Sequence, residues 1–280
     1  MSSFAAFART IKLSHTLFAM PFALASGLLA ARTVSVSPDR WVWIVVAMVT
    51  ARTSAMGFNR LVDRHIDAAN PRTAGREIPS GALSTRAAWT YTLLATAGFV
   101  ASSAALGTST LLLSPVALAV LWGYSLTKRF TALCHVVLGV ALGLAPVATW
   151  IALTDTVTPT PIWMGLGVLT WVAGFDILYA TQDAAYDRSV GLHSVPSRLG
   201  IPSALRVARA LHVATVACFA AVAWSFPLGP AYPVGVLLLA GVLIAEHRLV
   251  RADDLSRLDQ AFFEMNGYVA LGYLATVALS

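Results

Sequence analysis

An all-helical membrane protein with nine transmembrane helices is what this sequence predicts, and three observations carry that expectation. Of the 280 residues, 58% are hydrophobic and only 11% charged, with a mean hydropathy of +0.73. A water-soluble domain of this length does not carry such a composition. Apolar runs long enough to span a bilayer recur along the whole chain, and the charges fall in the connectors between them.

The runs lie near 13–31, 41–59, 87–106, 109–126, 133–153, 161–182, 208–225, 230–247 and 262–279. The first follows Arg9 and Lys12 and so imitates a signal peptide. It is nevertheless long enough to span, and similar runs follow it, so it is read as an uncleaved first helix. The third and fourth are parted only by Gly107 and Thr108. Pro21, Pro115 and Pro146 are expected to kink the helices that hold them. Residues 1–280 are read as one integral-membrane domain.

Orientation follows from the basic residues. With nine spans, one side holds Arg9, Lys12, Arg60 to Arg86, Lys128, Arg129, Arg188 to Arg209 and Arg248 to Arg257, and the other only Arg32 and Arg40. That asymmetry puts the N-terminus and long connectors in the cytoplasm and the C-terminus outside. Merging or splitting a span would scatter the positive charge. The net charge of +6 is therefore a topology signal and not a nucleic-acid surface, because no basic stripe forms. Cys134 and Cys218 sit in apolar stretches without ligand-like spacing, so cysteine chemistry is not expected.

Two long polar connectors, about 60–86 and 183–207, hold most of the acidic residues. Asn59, Asp63 and Asp67 follow one another at steps of four where the second span ends. If the helix continues through them, three oxygen-bearing side chains share one face. Asp176, Tyr179, Asp183 and Asp187 repeat the device where the sixth span ends. The pairs Asp63/Asp67 and Asp183/Asp187 are 120 positions apart, and each is followed by a glycine and then Pro-Ser (Gly75, Pro79, Ser80; Gly191, Pro196, Ser197). This hints at an internal repeat.

Acidic stripes at a membrane boundary are costly through repulsion and lost hydration, so a cation is expected to compensate. Magnesium takes hard oxygen ligands and commonly joins one or two carboxylates to phosphate oxygens. With Arg72, Arg76, Lys128, Arg129 and Arg198 nearby in sequence, the pattern suits a diphosphate: acids for the metal, bases for the phosphate. The plainer reading makes the aspartates solvated loop charges paired with Arg60, Arg64 or Arg188. That reading is weakest for Asp176, which lies well inside an apolar run. Lys128 and Arg129 fit a membrane anchor equally well. His15, His135 and His212 read first as packed, hydrogen-bonded histidines, and most aromatic residues as core or interfacial belt.

These segments resemble the UbiA superfamily of intramembrane prenyltransferases, which carries NxxxDxxxD after its second helix and DxxxD after its sixth. The matching residues are Asn59, Asp63 and Asp67, and Asp183 and Asp187. The opening IKLSHTLFAMPFAL, the IPSG of Ile78 to Gly81, the YSLTKRFT of Tyr124 to Thr131 and the nine-span count are also similar. The resemblance implies nine helices around a central cavity, capped by cytoplasmic loops and open sideways to lipid. It further implies Mg2+-dependent transfer of a polyprenyl group from a prenyl diphosphate to an aromatic ring. Metal binding and catalysis would fall to Asp63, Asp67, Asp183 and Asp187, with Asn59 positioning metal or diphosphate, and Lys128 with Arg72 holding phosphate. Asp176, Tyr179, Tyr124 and Arg129 are candidates for the aromatic acceptor and the cation.

Asn59-Arg60 replaces the Asn-Asp common in the family, and His193 stands where many members have lysine; both bear on the acceptor and leave the aspartates untouched. The motif segments look more like the 4-hydroxybenzoate polyprenyltransferase-like branch linked to menaquinone made through futalosine. The expected acceptor is thus an aromatic acid of 4-hydroxybenzoate or dihydroxynaphthoate type, in ubiquinone or menaquinone synthesis at a bacterial inner membrane. The alternatives are another acceptor (haem, chlorophyllide, a sugar phosphate) or a secondary transporter. A transporter fits poorly, because the carboxylates cluster at one membrane face instead of the midplane. Lipid is the expected surrounding, and no obligatory protein partner is implied.

Overall fold

The computed structural model describes residues 3–11 and 18–280, and the described residues are helical apart from turns and a single bridge between Arg251 and Asp254. His15, and much of the expected first span, lie outside them. Among the described residues, seven helical stretches are long and apolar enough to cross a membrane: Pro38–Val62, Thr108–Thr127, Cys134–Thr154, Pro159–Ser189, Ile201–Ser225, Ala231–Leu249 and Leu258–Leu279. Of the other two expected spans, one is represented by the short apolar helix Met20–Ala30. The other is Thr85–Leu106, 22 residues interrupted by Thr and Ser. The chain forms two compact units, Met1–Thr16 with Ser37–Leu126, and Leu17–Val36 with Thr127–Ser280.

The first unit holds α1 (Ser3–Thr10), α3 (Pro38–Val62), α4 (Arg64–Ala69), α5 (Thr85–Leu106) and nearly all of α6 (Thr108–Thr127). Pro38 and Asp39 open α3, where a missing N–H costs nothing and a negative charge meets the helix dipole. Ser84 caps α5 by accepting the Ala87 N–H at 3.2 Å. The α3–α5 contact is close because it uses small residues. A Cβ at Gly57 would lie 2.2 Å from the Thr92 hydroxyl, and Ser54 and Thr96 hydroxyls meet at 2.7 Å. Such seams are favoured where both partners are otherwise apolar. Phe7 and Ile11 pack with Leu61, Ile78 and Leu83, fixing the loop that follows α4.

The second unit holds α2 (Met20–Ala30), α7 (Cys134–Thr154), α8 (Pro159–Ala180), α9 (Ala184–Ser189), α10 (Val195–Leu199), α11 (Ile201–Ser225) and α12 (Ala231–Leu249). A last span runs through α13 (Leu258–Gln260), a wide π turn and α14 (Asn266–Leu279). Its core is aromatic: Phe22 contacts Trp171 at 5.1 Å, and Phe219 stacks on Tyr273 at 4.2 Å. The buried Tyr232 hydroxyl donates to the Phe219 carbonyl, so the polar tip does not go unpaired. Along α7 and α8 a Cβ at Gly139 would meet the Leu169 carbonyl oxygen at 2.3 Å, and one at Gly143 the Gly165 oxygen at 2.6 Å. These glycines set the register of the two helices. Leu112, Leu237, Leu238 and Trp224 point outward, as lipid-facing side chains do.

One local expectation changes. Pro21 lies in the first turn of α2 and opens the helix instead of kinking it, because its missing N–H is one that no helix start uses. Pro115 and Pro146 do lie inside α6 and α7.

Candidate functional site: two acidic helix ends

In the first unit α3 stops at Val62, and Asp63 adopts φ −89°, ψ 1° between it and the six-residue α4. The helix therefore does not run unbroken through Asn59, Asp63 and Asp67. The i to i+4 backbone bonds persist, however, from Asp63 N to Asn59 O at 3.0 Å and from Asp67 N to Asp63 O at 2.8 Å. The Asn59 amide donates to Asp63 Oδ2 at 3.0 Å. Asp67, only 6% exposed, accepts from Arg76 Nη1 on Oδ1 at 2.6 Å. Its other oxygen, Oδ2, is buried without a hydrogen-bond partner. Thr73 donates to the Asp67 carbonyl at 3.0 Å and ties the following loop back to α4. Tyr124 on α6 lies within electrostatic reach of Arg60, Arg52 and Asp63. Arg72 is exposed, and its backbone N–H bonds to Asn70 Oδ1.

The second unit repeats this construction. The α8 helix stops at Ala180, one 3-10 turn follows, and Asp183 takes φ −99°, ψ 0° before the six-residue α9. Asp187 occupies the same place in α9 that Asp67 has in α4, and it is 1% exposed. It accepts the Ser194 hydroxyl at 3.0 Å and pairs with Lys128 Nζ at 2.8 Å. Gly191, at φ 73°, makes the turn that only glycine enters freely. That turn lets Leu192 N bond to Asp187 O, and His193 N to the Lys128 carbonyl, each at 2.8 Å. Burial disfavours the Lys128 ammonium. The charge and hydrogen bond of Asp187, with Asp183 and Asp176 adding to them, more than compensate, and the Lys128 pKa lies above the ordinary lysine value.

Asp67 and Asp187 are thus each paired with a base, and the partners are Arg76 and Lys128. Of the neighbours expected from sequence, Arg64 bonds to the Leu61 carbonyl and Arg188 to the Ser197 carbonyl, while Arg60 acts electrostatically on Asp67 and Asp63. Arg198 engages His193. Tyr179 stacks on Phe262 at 4.1 Å, and Arg129 is half-buried beside Lys128. His135 was not recognisable as a site residue, yet its Nδ1 lies 2.6 Å from Asp176 Oδ2. His212 is a packed histidine bonded to the Trp171 carbonyl and to His247.

Among the described residues no group of three or more His, Cys, Asp and Glu side chains converges to hold a metal by itself. The orphaned, buried Asp67 Oδ2 is nonetheless a ready hard-oxygen ligand. One or two carboxylates completed by phosphate oxygens and water is the donor set magnesium accepts.

Apolar helices that end in an acidic turn, once in each unit, define a polytopic membrane protein. The UbiA prenyltransferase family matches residues 19–268, and the chain belongs to that family and is an integral membrane protein. It is similar to the apo structure of a UbiA homolog from Aeropyrum pernix K1, with a TM-score of 0.86 and 34% identity over 95% of this chain and 97% of that one. A UbiA homolog from Archaeoglobus fulgidus bound to GPP and Mg2+ shares the fold, with a TM-score of 0.70, 20% identity and coverage of 98% and 100%. Among curated proteins, 4-hydroxybenzoate octaprenyltransferase of Citrobacter koseri is 34% identical over 163 residues, 56% of this chain and 56% of that protein. The Escherichia fergusonii protein of the same name is 34% identical over 164 residues. The matches span about half the length of these curated relatives.

Proposed function

We propose that the chain is a magnesium-dependent prenyltransferase that moves a polyprenyl group from its diphosphate to an aromatic acid. The observation that carries this reading is the duplicated device: an aspartate at a helix break, and a second, buried aspartate one turn on, paired with a base. In this reading Asp63, Asp67, Asp183 and Asp187 hold Mg2+, and Asn59 orients Asp63. Lys128 and Arg72 hold the diphosphate, while Asp176, Tyr179, Tyr124 and Arg129 serve the acceptor and the allylic cation. Bound magnesium would neutralise the negative charge that grows on the departing diphosphate. Bases already fixed by Asp67 and Asp187 add to that stabilisation without reorganising, which is where such groups are most effective. Apolar side chains keep water from the cation.

Family membership and relatives named for 4-hydroxybenzoate octaprenyl transfer support an aromatic acid in quinone synthesis as acceptor. The Archaeoglobus neighbour bound to GPP and Mg2+ supports metal and diphosphate. We further read the chain as a single functional domain of nine spans in the bacterial inner membrane, counting Met20–Ala30 and Thr85–Leu106 with the seven long apolar helices. The charge asymmetry supports a cytoplasmic N-terminus and cytoplasmic acidic ends.

The test is transfer of radiolabelled prenyl diphosphate by purified protein with Mg2+, offering 4-hydroxybenzoate, 1,4-dihydroxy-6-naphthoate and haem separately. Labelled product from an aromatic acid is expected. Transfer only to haem, or to none of the three by folded protein, would overturn the aromatic-acid assignment.

A further inference from the structure

His135 lies at the start of α7, one turn before Gly139. The glycine contacts pair Gly139 with Leu169 and Gly143 with Gly165, so each step of four along α7 meets a step of four back along α8. Carried one turn further, that register sets His135 beside Ala173, and Asp176 follows three residues on along the same face. The result is the 2.6 Å contact between His135 Nδ1 and Asp176 Oδ2.

The other ring nitrogen fixes the direction of this bond. His135 Nε2 accepts the backbone N–H of Val195, the first residue of α10, at 3.2 Å. A backbone amide can only donate, so Nε2 carries no proton and a neutral ring must carry its proton on Nδ1. His135 therefore donates and Asp176 accepts. The histidine side chain is 3% exposed and the aspartate 27%: the donor is sealed behind, while the carboxylate keeps an open side. Asp176 also acts electrostatically on Lys128, the partner of Asp187. Ser194, next to Val195, is the residue that donates to Asp187.

We propose that His135 is a positioning residue, which locks the Asp176 carboxylate so that its remaining oxygen receives the hydroxyl of an aromatic acceptor. This rests on the prenyl-transfer reading above. A hydroxyl held by a carboxylate enriches its ring in electron density, which favours attack on an allylic cation. The competing possibility is purely structural: His135 pins the start of α10 through Val195.

Two substitutions separate them, because each keeps one half of the ring's bonding. His135→Asn keeps a donor near Nδ1 and loses the acceptor for Val195; His135→Gln keeps an acceptor near Nε2 and loses the donor to Asp176. If His135 positions Asp176, His135→Gln loses about 100-fold in kcat, the scale of a small misplacement at a reacting centre. Its KM for prenyl diphosphate should stay unchanged, while His135→Asn remains within a few-fold of the unmodified protein. Asp176→Asn, which leaves the Val195 contact intact, should match the Gln variant, and the double variant should be no worse than Asp176→Asn. Nitrogen NMR of isotope-labelled histidine, assigned by the signal that His135→Asn removes, should show a neutral ring protonated at Nδ1.

The reverse order of the two variants, equal losses in both, or a ring protonated at Nε2 would overturn the inference. Absence of transfer to any aromatic acid by the unmodified protein would instead overturn the proposed function, and this role with it. The NMR result would then still report whether the pair exists.

Discussion

Under the proposed function the chemistry turns on Asp67 and Asp187, each a carboxylate buried at the end of an apolar helix and ion-paired with a base. Asp67→Asn keeps an oxygen for Arg76 but removes the charge from the orphaned Oδ2, and transfer should fall by at least about 100-fold with folding intact. Asp63→Ala and Asp183→Ala should likewise abolish turnover in protein that still inserts and melts normally; full activity in any of these would remove the site proposed here. Lys128→Met leaves Asp187 buried without its cation, a situation that is destabilising for buried pairs and milder here because the ammonium is 36% exposed. The sign of its pH dependence follows from the raised Lys128 pKa. The pair's contribution is fully present below the unfolded lysine value of about 10.4, and it is lost only as pH climbs through the higher folded value. The difference in melting temperature between unmodified protein and variant attributable to lysine ionisation should therefore stay flat from neutrality to the lysine range and shrink above it.

At the scale of elements, the helix breaks matter more than the helices. A continuous α3 or α8 would carry its aspartates along one straight face. The breaks at Asp63 and Asp183 instead begin a new six-residue helix, and that helix turns Asp67 and Asp187 into protein. Seams of small residues hold the helices beneath them. Gly139→Val would push a side chain into the Leu169 backbone, which cannot swing aside as a side chain could. The expected result is a loss of about 1–3 kcal/mol, the usual scale of overpacking. It should be read as a lower melting temperature in detergent, together with loss of the His135–Asp176 bond that the α7–α8 register creates. An unchanged melting temperature would mean that the seam is not tight.

For the whole molecule, the prediction concerns topology and metal. Reporters fused ahead of α1 and behind α14 should report opposite sides, cytoplasmic and external, if Met20–Ala30 and Thr85–Leu106 cross along with the seven long apolar helices. Both reporters on one side would mean an even number of spans and would remove the nine-span reading. Activity should vanish under EDTA and return with Mg2+, and undiminished activity after thorough chelation would defeat the magnesium assignment.

By itself the sequence determined the class of this protein. Composition and run length demand a bilayer, because so much apolar surface has no other solvent, and the four-residue spacing of Asp63, Asp67, Asp183 and Asp187 marks two acidic helix ends. Local spacing is visible in sequence because neighbours on a helix are four residues apart. Pairings across the fold are not. Asp176 and His135 are 41 positions apart and meet only because glycines set two helices in register, so the histidine read as an ordinary packed one. The same holds for Lys128 with Asp187, 59 positions apart, joined through the turn at Gly191. The choice of Arg76 over Arg60 or Arg64 as partner of Asp67 belongs with them, since it follows from the fold of the loop after α4. Only tertiary structure decides which charges neutralise one another, because that depends on which side chains share a buried space and not on which are near in the chain.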